Sequence, residues 1–428
     1  MMDIPLQSVL AIITALCCAV AAWFVFRWAR RALVVIWCIA LFFVPIWIGV
    51  QAGIFFSVLT AVTLMGIATS SPSAVKVSMM DVLIAGFALL IGVTFALGWI
   101  TYGHMLIVAV GWLVPYVWGR LILTSVPASW VYSCLAGGAV AAAILAIIEF
   151  LTGVNLFIGL TVQNELYKVW GDLQYRSGLL RVEGAFGHSI ALGASLAICV
   201  VFVVAAPWPA WLRLVSQLLV MVAVGVTFSR IGMIGLVLTM CLAAALLARF
   251  VPRQVRIGSI TLLALVVVVG APIIVDVMTE AGQEAAGSAE YRGDLLRLIG
   301  DMAPFGITPT WSVLPNGETY YGTFQSIDSE LVLTGLRFGL VALGLLLIGL
   351  GIAAVSLIRG KATPASVALV AQIPAFATVA LITQYASLVW FVAGLAVASY
   401  TLLPRAGASP RIEVDLRVRS VAERALLR

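Results

Sequence analysis

Three arginines, Arg181, Arg230 and Arg292, stand out from an otherwise apolar chain. A guanidinium presents paired N–H donors that match phosphate oxygens, so three of them near one another can clamp a diphosphate. Groups able to take a proton from an attacking hydroxyl lie close by in sequence: Glu183, His188 and Asp328. Arg181, Glu183 and His188 belong to Leu180-Arg-Val-Glu-Gly-Ala-Phe-Gly-His-Ser-Ile-Ala-Leu-Gly193, just ahead of an apolar run. Ser229 and Arg230 belong to Val226-Thr-Phe-Ser-Arg-Ile-Gly232, between two apolar runs. Tyr291 and Arg292 sit in a long polar stretch that closes on Asp328-Ser-Glu330.

Each residue has a plainer reading. An arginine near the end of a membrane span can snorkel to the interface, and one in a loop is normally solvated. His188 can be a polar interface residue, and Asp328 can cap the helix that follows it. Arg230 is harder to dismiss, because the positive-inside rule disfavours arginine on the side where it falls. Arg337 lies within an apolar run, where an ionisable residue is a functional candidate by default. No Gly-rich phosphate loop and no Asp-x-Asp pair occurs, so nucleotide-sugar chemistry at a cytoplasmic face is not supported. Neither a metal nor a cofactor is expected.

The elements that must position these residues are transmembrane helices. Of 428 residues, 63% are hydrophobic and only 10% charged, with a mean hydropathy of +1.16. Too few charges are present to cover a soluble surface. Apolar stretches of about 20 residues, the length needed to cross a bilayer core of roughly 30 Å, recur along the chain. They run continuously apolar, unlike the alternating strands of a membrane β-barrel. Spans are expected near 6–26, 32–51, 53–69, 81–100, 105–124, 131–152, 189–205, 211–228, 231–248, 258–277, 331–357, 364–383 and 386–402. The expected architecture is all-α: one integral membrane domain over 1–428, with about 12–13 spans.

Charge orients this layout. Most basic residues fall in one set of loops if the N-terminus is outside and the C-terminus, with its basic tail 403–428, is cytoplasmic. The net charge of +6 is therefore read as membrane topology, and no nucleic-acid partner is expected. Cys17, Cys18, Cys38, Cys134, Cys199 and Cys241 lie in apolar runs without metal-ligand spacing and read as small apolar residues. Leu6 to Phe26 is too long for a cleavable signal, and Arg27, Arg30 and Arg31 follow it in place of a cleavage site. Two stretches, about 153–189 and 279–330, exceed ordinary connectors and fall on the outer side. The second carries Trp311, Tyr320, Tyr321 and Phe324, whose rings can stack on sugars or lie at a membrane interface.

At these residues the sequence resembles the O-antigen ligase and polysaccharide polymerase superfamily of bacterial membrane enzymes. Arg181-Val-Glu-Gly-Ala-Phe-Gly-His188 is similar to that family's Arg-x-x-Gly-Thr-Phe segment before a span. Thr227-Phe-Ser-Arg230-x-Gly232 is similar to its Thr-x-Ser-Arg-Gly element, and the large outer loop follows in the same order. Beyond it come Gly335 and Gly339 in the next span; the match extends from about Arg181 to Gly344, and the earlier spans match in hydropathy only.

The resemblance implies transfer of a glycan from an undecaprenyl diphosphate-linked oligosaccharide to a glycan acceptor, on the outer face of the bacterial plasma membrane and without a metal. Arg230 and Arg292 fall where the family holds the donor diphosphate, and Arg181 joins them as the third arginine of the candidate clamp. The family's ligases carry a histidine near the end of the large loop. This chain has Ser326-Ile-Asp328-Ser-Glu330 there, which makes Asp328 the substitute base, with Glu183 and His188 behind it. That departure favours a polymerase of repeat units over a ligase. Trp311, Tyr320 and Tyr321 are the expected glycan contacts. Membrane lipids and other polysaccharide-assembly proteins are the remaining candidate partners. A flippase for the same lipid-linked glycan and a passive scaffold are the readings of other classes.

Overall fold

The computed structural model describes residues 20–52, 54–71, 75–176, 178–280, 295–314 and 319–401. Most of the first expected span, all of the basic tail, and Tyr291 and Arg292 lie outside them. Helices in chain order are α1 (20–28), α2 (Arg30–Phe43), α3 (Val58–Ala68), α4 (Met79–Ala96), α5 (Tyr102–Thr124), α6 (Ala128–Thr152) and α7 (Glu165–Trp170). There follow α8 (Ser189–Ala205), α9 (Ala210–Val226), α10 (Arg230–Leu246), α11 (Arg253–Glu280), α12 (Glu330–Phe338), α13 (Leu340–Ile358), α14 (Pro364–Ala371), α15 (Ile373–Thr378) and α16 (Thr383–Thr401). Within α5, residues Ile107–Leu113 form a π-helical segment. Among the described residues, strands form three antiparallel hairpins: β1 (Gly49–Ala52) with β2 (Ile54–Ser57), β3 (Gln174–Arg176) with β4 (Leu179–Arg181), and β5 (Trp311–Val313) with β6 (Thr319–Tyr321).

The centre of the bundle is α8. Every residue from Ala191 to Val204 is buried, as expected of a helix apolar on all sides. It packs against α6, α9, α10, α14 and α16. Close approach to α10 depends on two glycines. A Cβ on Gly193 would stand 2.9 Å from Thr227 Oγ1, and one on Gly232 would stand 3.0 Å from the Gly193 carbonyl carbon.

The periphery is the reverse. Five helices, α4, α5, α6, the Arg253–Gly270 part of α11 and α13, are long and apolar enough to cross a membrane by length and composition. Only 17% of the α4 window and 22% of the α13 window are buried. Leu89, Val268, Val269, Leu347 and Ile348 all point outward. Apolar surface on this scale does not face water in a soluble monomer, and it is what a bilayer requires of a membrane protein.

Several expected spans are interrupted. The 32–51 run stops being helical at Phe43, because Pro45 has no N–H to give and disfavours helix at Val44. Its apolar remainder pairs as β1, which hydropathy alone does not tell from helix. The 331–357 run breaks at Gly339, whose φ of +92° is open only to glycine at this site. There a Cβ would meet Pro304 O and Phe305 Cα at 2.7 Å. The 364–383 run becomes α14, α15 and an irregular stretch before α16.

Backbone freed at membrane depth must find partners inside the protein. At Gly339 the loop ahead of α12 supplies them. Leu340 N–H bonds Ala303 O at 2.9 Å, Val341 N–H bonds Pro304 O at 3.2 Å, and Gly306 N–H bonds Phe338 O at 3.1 Å. Between α15 and α16 the partner is Glu330, whose N–H bonds Val379 O at 3.1 Å and whose Oε2 accepts Leu381 N–H at 2.7 Å.

Candidate functional site

The two sequence motifs, forty-odd residues apart, form one unit at the N-terminal end of α8. Hairpin β3–β4 delivers Arg176 and Arg181 toward the turn between α9 and α10. Arg176 Nη1 donates to Phe228 O at 3.0 Å, and Arg181 Nε donates to Thr227 O at 3.3 Å. The turn is strained at Phe228, whose φ of +47° is left-handed without being glycine. Ser229 then caps α10 by accepting Gly232 N–H at 3.2 Å, and Arg230 opens the helix, half-buried. A cation in the first turn runs against the helix dipole.

Glu183 follows β4 and is sealed from solvent, with no hydrogen-bond partner for either carboxylate oxygen among the described residues. Its main chain is held from α6. Glu149 Oε1 accepts Glu183 N–H at 3.1 Å and Oε2 accepts Gly184 N–H at 3.0 Å, while Asn155 Nδ2 steadies Glu149 at 3.0 Å. Burial, reinforced by the Glu149 carboxylate and partly offset by Arg181, pushes the Glu183 carboxyl up to about 8. Glu183 is therefore protonated at neutral pH and itself adds no negative charge beside Arg181.

His188 caps α8: its Nδ1 accepts Ile190 N–H at 3.1 Å, and Trp170 packs edge-on against its ring. Burial and then Arg181 hold it neutral, down at about 4. With Nδ1 committed to the cap, the neutral ring offers Nε2–H as a donor rather than a lone pair for a proton.

A second group assembles where the loop ahead of α12 returns to the bundle. Tyr321 is buried, and its hydroxyl lies 3.3 Å from His104 Nε2 and accepts Arg337 Nε at 3.3 Å. Thr101 Oγ1 holds His104 Nδ1 at 2.7 Å, and Trp311 meets the His104 ring edge-on. The Trp311↔Tyr321 and Ser312↔Tyr320 register sets these aromatics, leaving Trp311 and Tyr320 half-buried with ring surface open. Arg337, read from sequence as lying inside a continuous span, ends the short helix α12 just before the Gly339 break.

Asp328 is exposed at the start of α12, and Ser329, rather than Asp328, caps that helix by accepting Val332 N–H at 3.3 Å. Glu330 is buried and lifted to about 7, burial outweighing the pull of Arg337. The stretch from Val379 to Gln384 joins the two groups. Glu330 holds it at Leu381, and Gln384 Nε2 reaches Ala185 O and Val44 O, both at 2.9 Å.

Arg181, Glu183, His188 and the Ser229–Arg230 turn are thus brought together. Trp311, Tyr320 and Tyr321 belong to the second group and Asp328 lies at the start of α12, two residues before Glu330, while Arg292 lies outside the described residues. Sequence reasoning overlooked Glu149, Arg176, Gln384 and His104. Glu149 had a signal: it is the one acidic residue in an otherwise apolar 25-residue helix. His104 had none, since its partner Tyr321 is 217 positions away.

Compared with protein-family models, with curated proteins and with solved structures, the chain matches none.

Proposed function

We propose that this chain is a metal-independent glycosyltransferase that polymerises undecaprenyl diphosphate-linked oligosaccharide repeat units at the outer face of a bacterial plasma membrane. The observation that carries the reading is the Arg181–Thr227 and Arg176–Phe228 tie, which fixes the turn presenting Arg230 and brings to it Arg181, the neighbour of a protonated Glu183. Arg176 and Arg181 bond the carbonyls of that turn and Arg230 leaves it, so three guanidinium groups converge there, as a diphosphate-binding surface needs.

In the proposed reaction Asp328, the exposed carboxylate, takes the proton of the acceptor sugar hydroxyl. The acceptor oxygen bonds to the anomeric carbon of the donor as the bond from that carbon to the diphosphate breaks. Arg230 and Arg292, with Arg181 behind them, stabilise the charge that collects on the departing diphosphate. His188 donates from Nε2 toward the same anion, and Trp311 and Tyr320 offer ring faces to the glycan. Tyr321 fixes His104 and Arg337.

The test is glycan chain length in cells with and without the protein. Loss of long polymer, with single repeat units left on their carrier, supports polymerisation; long polymer stranded on the carrier supports the ligase alternative. Normal polymer from stably inserted Arg230→Ala or Arg292→Ala protein refutes the diphosphate clamp.

A transporter of the same lipid-linked glycan draws on the interruptions at Gly339 and at Val379–Ile382, because transporters seat cargo at unwound helices. It predicts a different outcome: glycan retained on the cytoplasmic leaflet when the protein is removed.

A further inference from the structure

Away from that site, α4, α13, α14 and α16 part to leave an apolar crevice of about 620 Å³. Met80, Ile352, Leu369 and Ala396 line it, and Arg359 and Lys361 stand at one end. Through Met80, Leu369 and Ala393 it continues as a narrower slot, wholly apolar in character, toward Phe87 and Trp390. From Arg359 back to Leu345 along α13 is roughly 20 Å at 1.5 Å per residue. That exceeds half of a bilayer core of about 30 Å.

Among the described residues the mouth is positive and uncompensated. Arg359 has no carboxylate partner among the described residues, and Lys361 Nζ gives one hydrogen to the Tyr400 hydroxyl at 2.6 Å. Asp81, in the first turn of α4, is committed to Arg120 at 3.0 Å and to Ser78 N–H at 2.8 Å. Two helix N-termini (α4 and α14) and two C-termini (α13 and α16) meet there, so their dipoles oppose one another. The two side-chain charges decide the sign. The chain's own continuation beyond Thr401 is a poor occupant, because it carries Arg405, Arg411, Arg417, Arg419, Arg424 and Arg428 against Glu413, Asp415 and Glu423.

We infer that this crevice is a binding site for an anionic phospholipid, one acyl chain lying in the slot and the headgroup phosphate against Arg359 and Lys361. The inference rests on the chain being a membrane protein and not on the glycosyl-transfer reading. An apolar slot pairs with an acyl chain because both leave a less favourable surface, and a guanidinium at its mouth selects a headgroup with net negative charge.

The full chain is reconstituted in nanodiscs of equal phosphatidylglycerol and phosphatidylethanolamine, re-extracted, and its retained lipids are counted by native mass spectrometry. Phosphatidylglycerol is expected several-fold above its bulk share. The Arg359→Gln/Lys361→Gln protein should return to the bulk ratio, its changes being exposed and tolerated by the fold. Gly351→Leu, whose side chain grows into open space within the crevice, should lower retained phosphatidylglycerol with both charges intact. Bulk lipid ratio in the unmodified protein, or enrichment that survives both variants, overturns the inference. So does enrichment that appears only after residues 402–428 are removed, which would make that segment the native occupant.

Discussion

Glu149 Oε1 accepts the main-chain N–H of Glu183 at 3.1 Å, so one acid fixes the backbone of another whose own carboxylate is buried without a partner. This arrangement makes stability depend on pH. Below about 4.5 the folded and unfolded chains both hold the Glu183 proton. Between there and about 8 only the unfolded chain releases it, so stability falls as pH rises through that window and levels off above it. Glu330 acts in the same direction up to about 7. Melting curves in detergent from pH 6.5 to 9 should show this decline; at lower pH His188, held down at about 4, acts in the opposite direction. The decline should be shallower in Glu183→Gln and nearly absent in Glu183→Gln/Glu330→Gln.

The same proton bears on the proposed donor site. Above about pH 8 an ionised Glu183 sets a negative charge against Arg181. The apparent KM for lipid-linked donor should then rise with little change in kcat, and Glu183→Gln should hold KM level across the same range. A KM that climbs equally in the variant would place the titrating group elsewhere.

Helix crossing at α8 and α10 leaves no room for a methyl group. Gly193→Ala puts a Cβ 2.9 Å from Thr227 Oγ1 and should cost on the order of 1–3 kcal/mol, as overpacking does. It should also disturb the Ser229–Arg230 turn. Gly225→Ala, with nothing within 4 Å of the new Cβ, is the control and should be neutral or slightly stabilising. Thermal unfolding of both proteins decides the point.

Removing the Tyr321 hydroxyl releases His104 and Arg337 together. Tyr321→Phe keeps the buried ring and should lower stability by about 1 kcal/mol, the usual scale for lost hydrogen bonds. Polymer length should shorten more than that loss of stability explains, because Arg337 and the Trp311–Tyr320 hairpin lose their anchor. Full-length polymer from the variant would confine this group to a structural role.

Breaking α12 from α13 requires Gly339. Gly339→Ala forces a left-handed residue against Pro304 O at 2.7 Å, and the strain expected is on the order of 1–3 kcal/mol. The loop hydrogen bonds from Ala303, Pro304 and Gly306 should loosen with it. Hydrogen exchange at Gly306, Leu340 and Val341 is the direct readout, and unchanged protection at all three would contradict the account.

Much of this protein is determined by sequence alone. Long apolar runs make helices and a membrane-facing surface, because a bilayer offers backbone groups nothing to bond. Motifs flanking α8 mark where polar side chains gather. What hydropathy does not carry is where an apolar run stops being helix: the ends at Phe43, Phe338 and Thr378 depend on Pro45, on a glycine pressed against Pro304, and on a carboxylate supplied by Glu330. Nor does it carry partnership across distance. Glu149 and Glu183, His104 and Tyr321, and Gln384 and Ala185 meet only because helices remote in sequence pack side by side. Local sequence specifies a residue's own backbone preference, whereas burial, and with it the protonation of Glu183, is a property of everything packed around it.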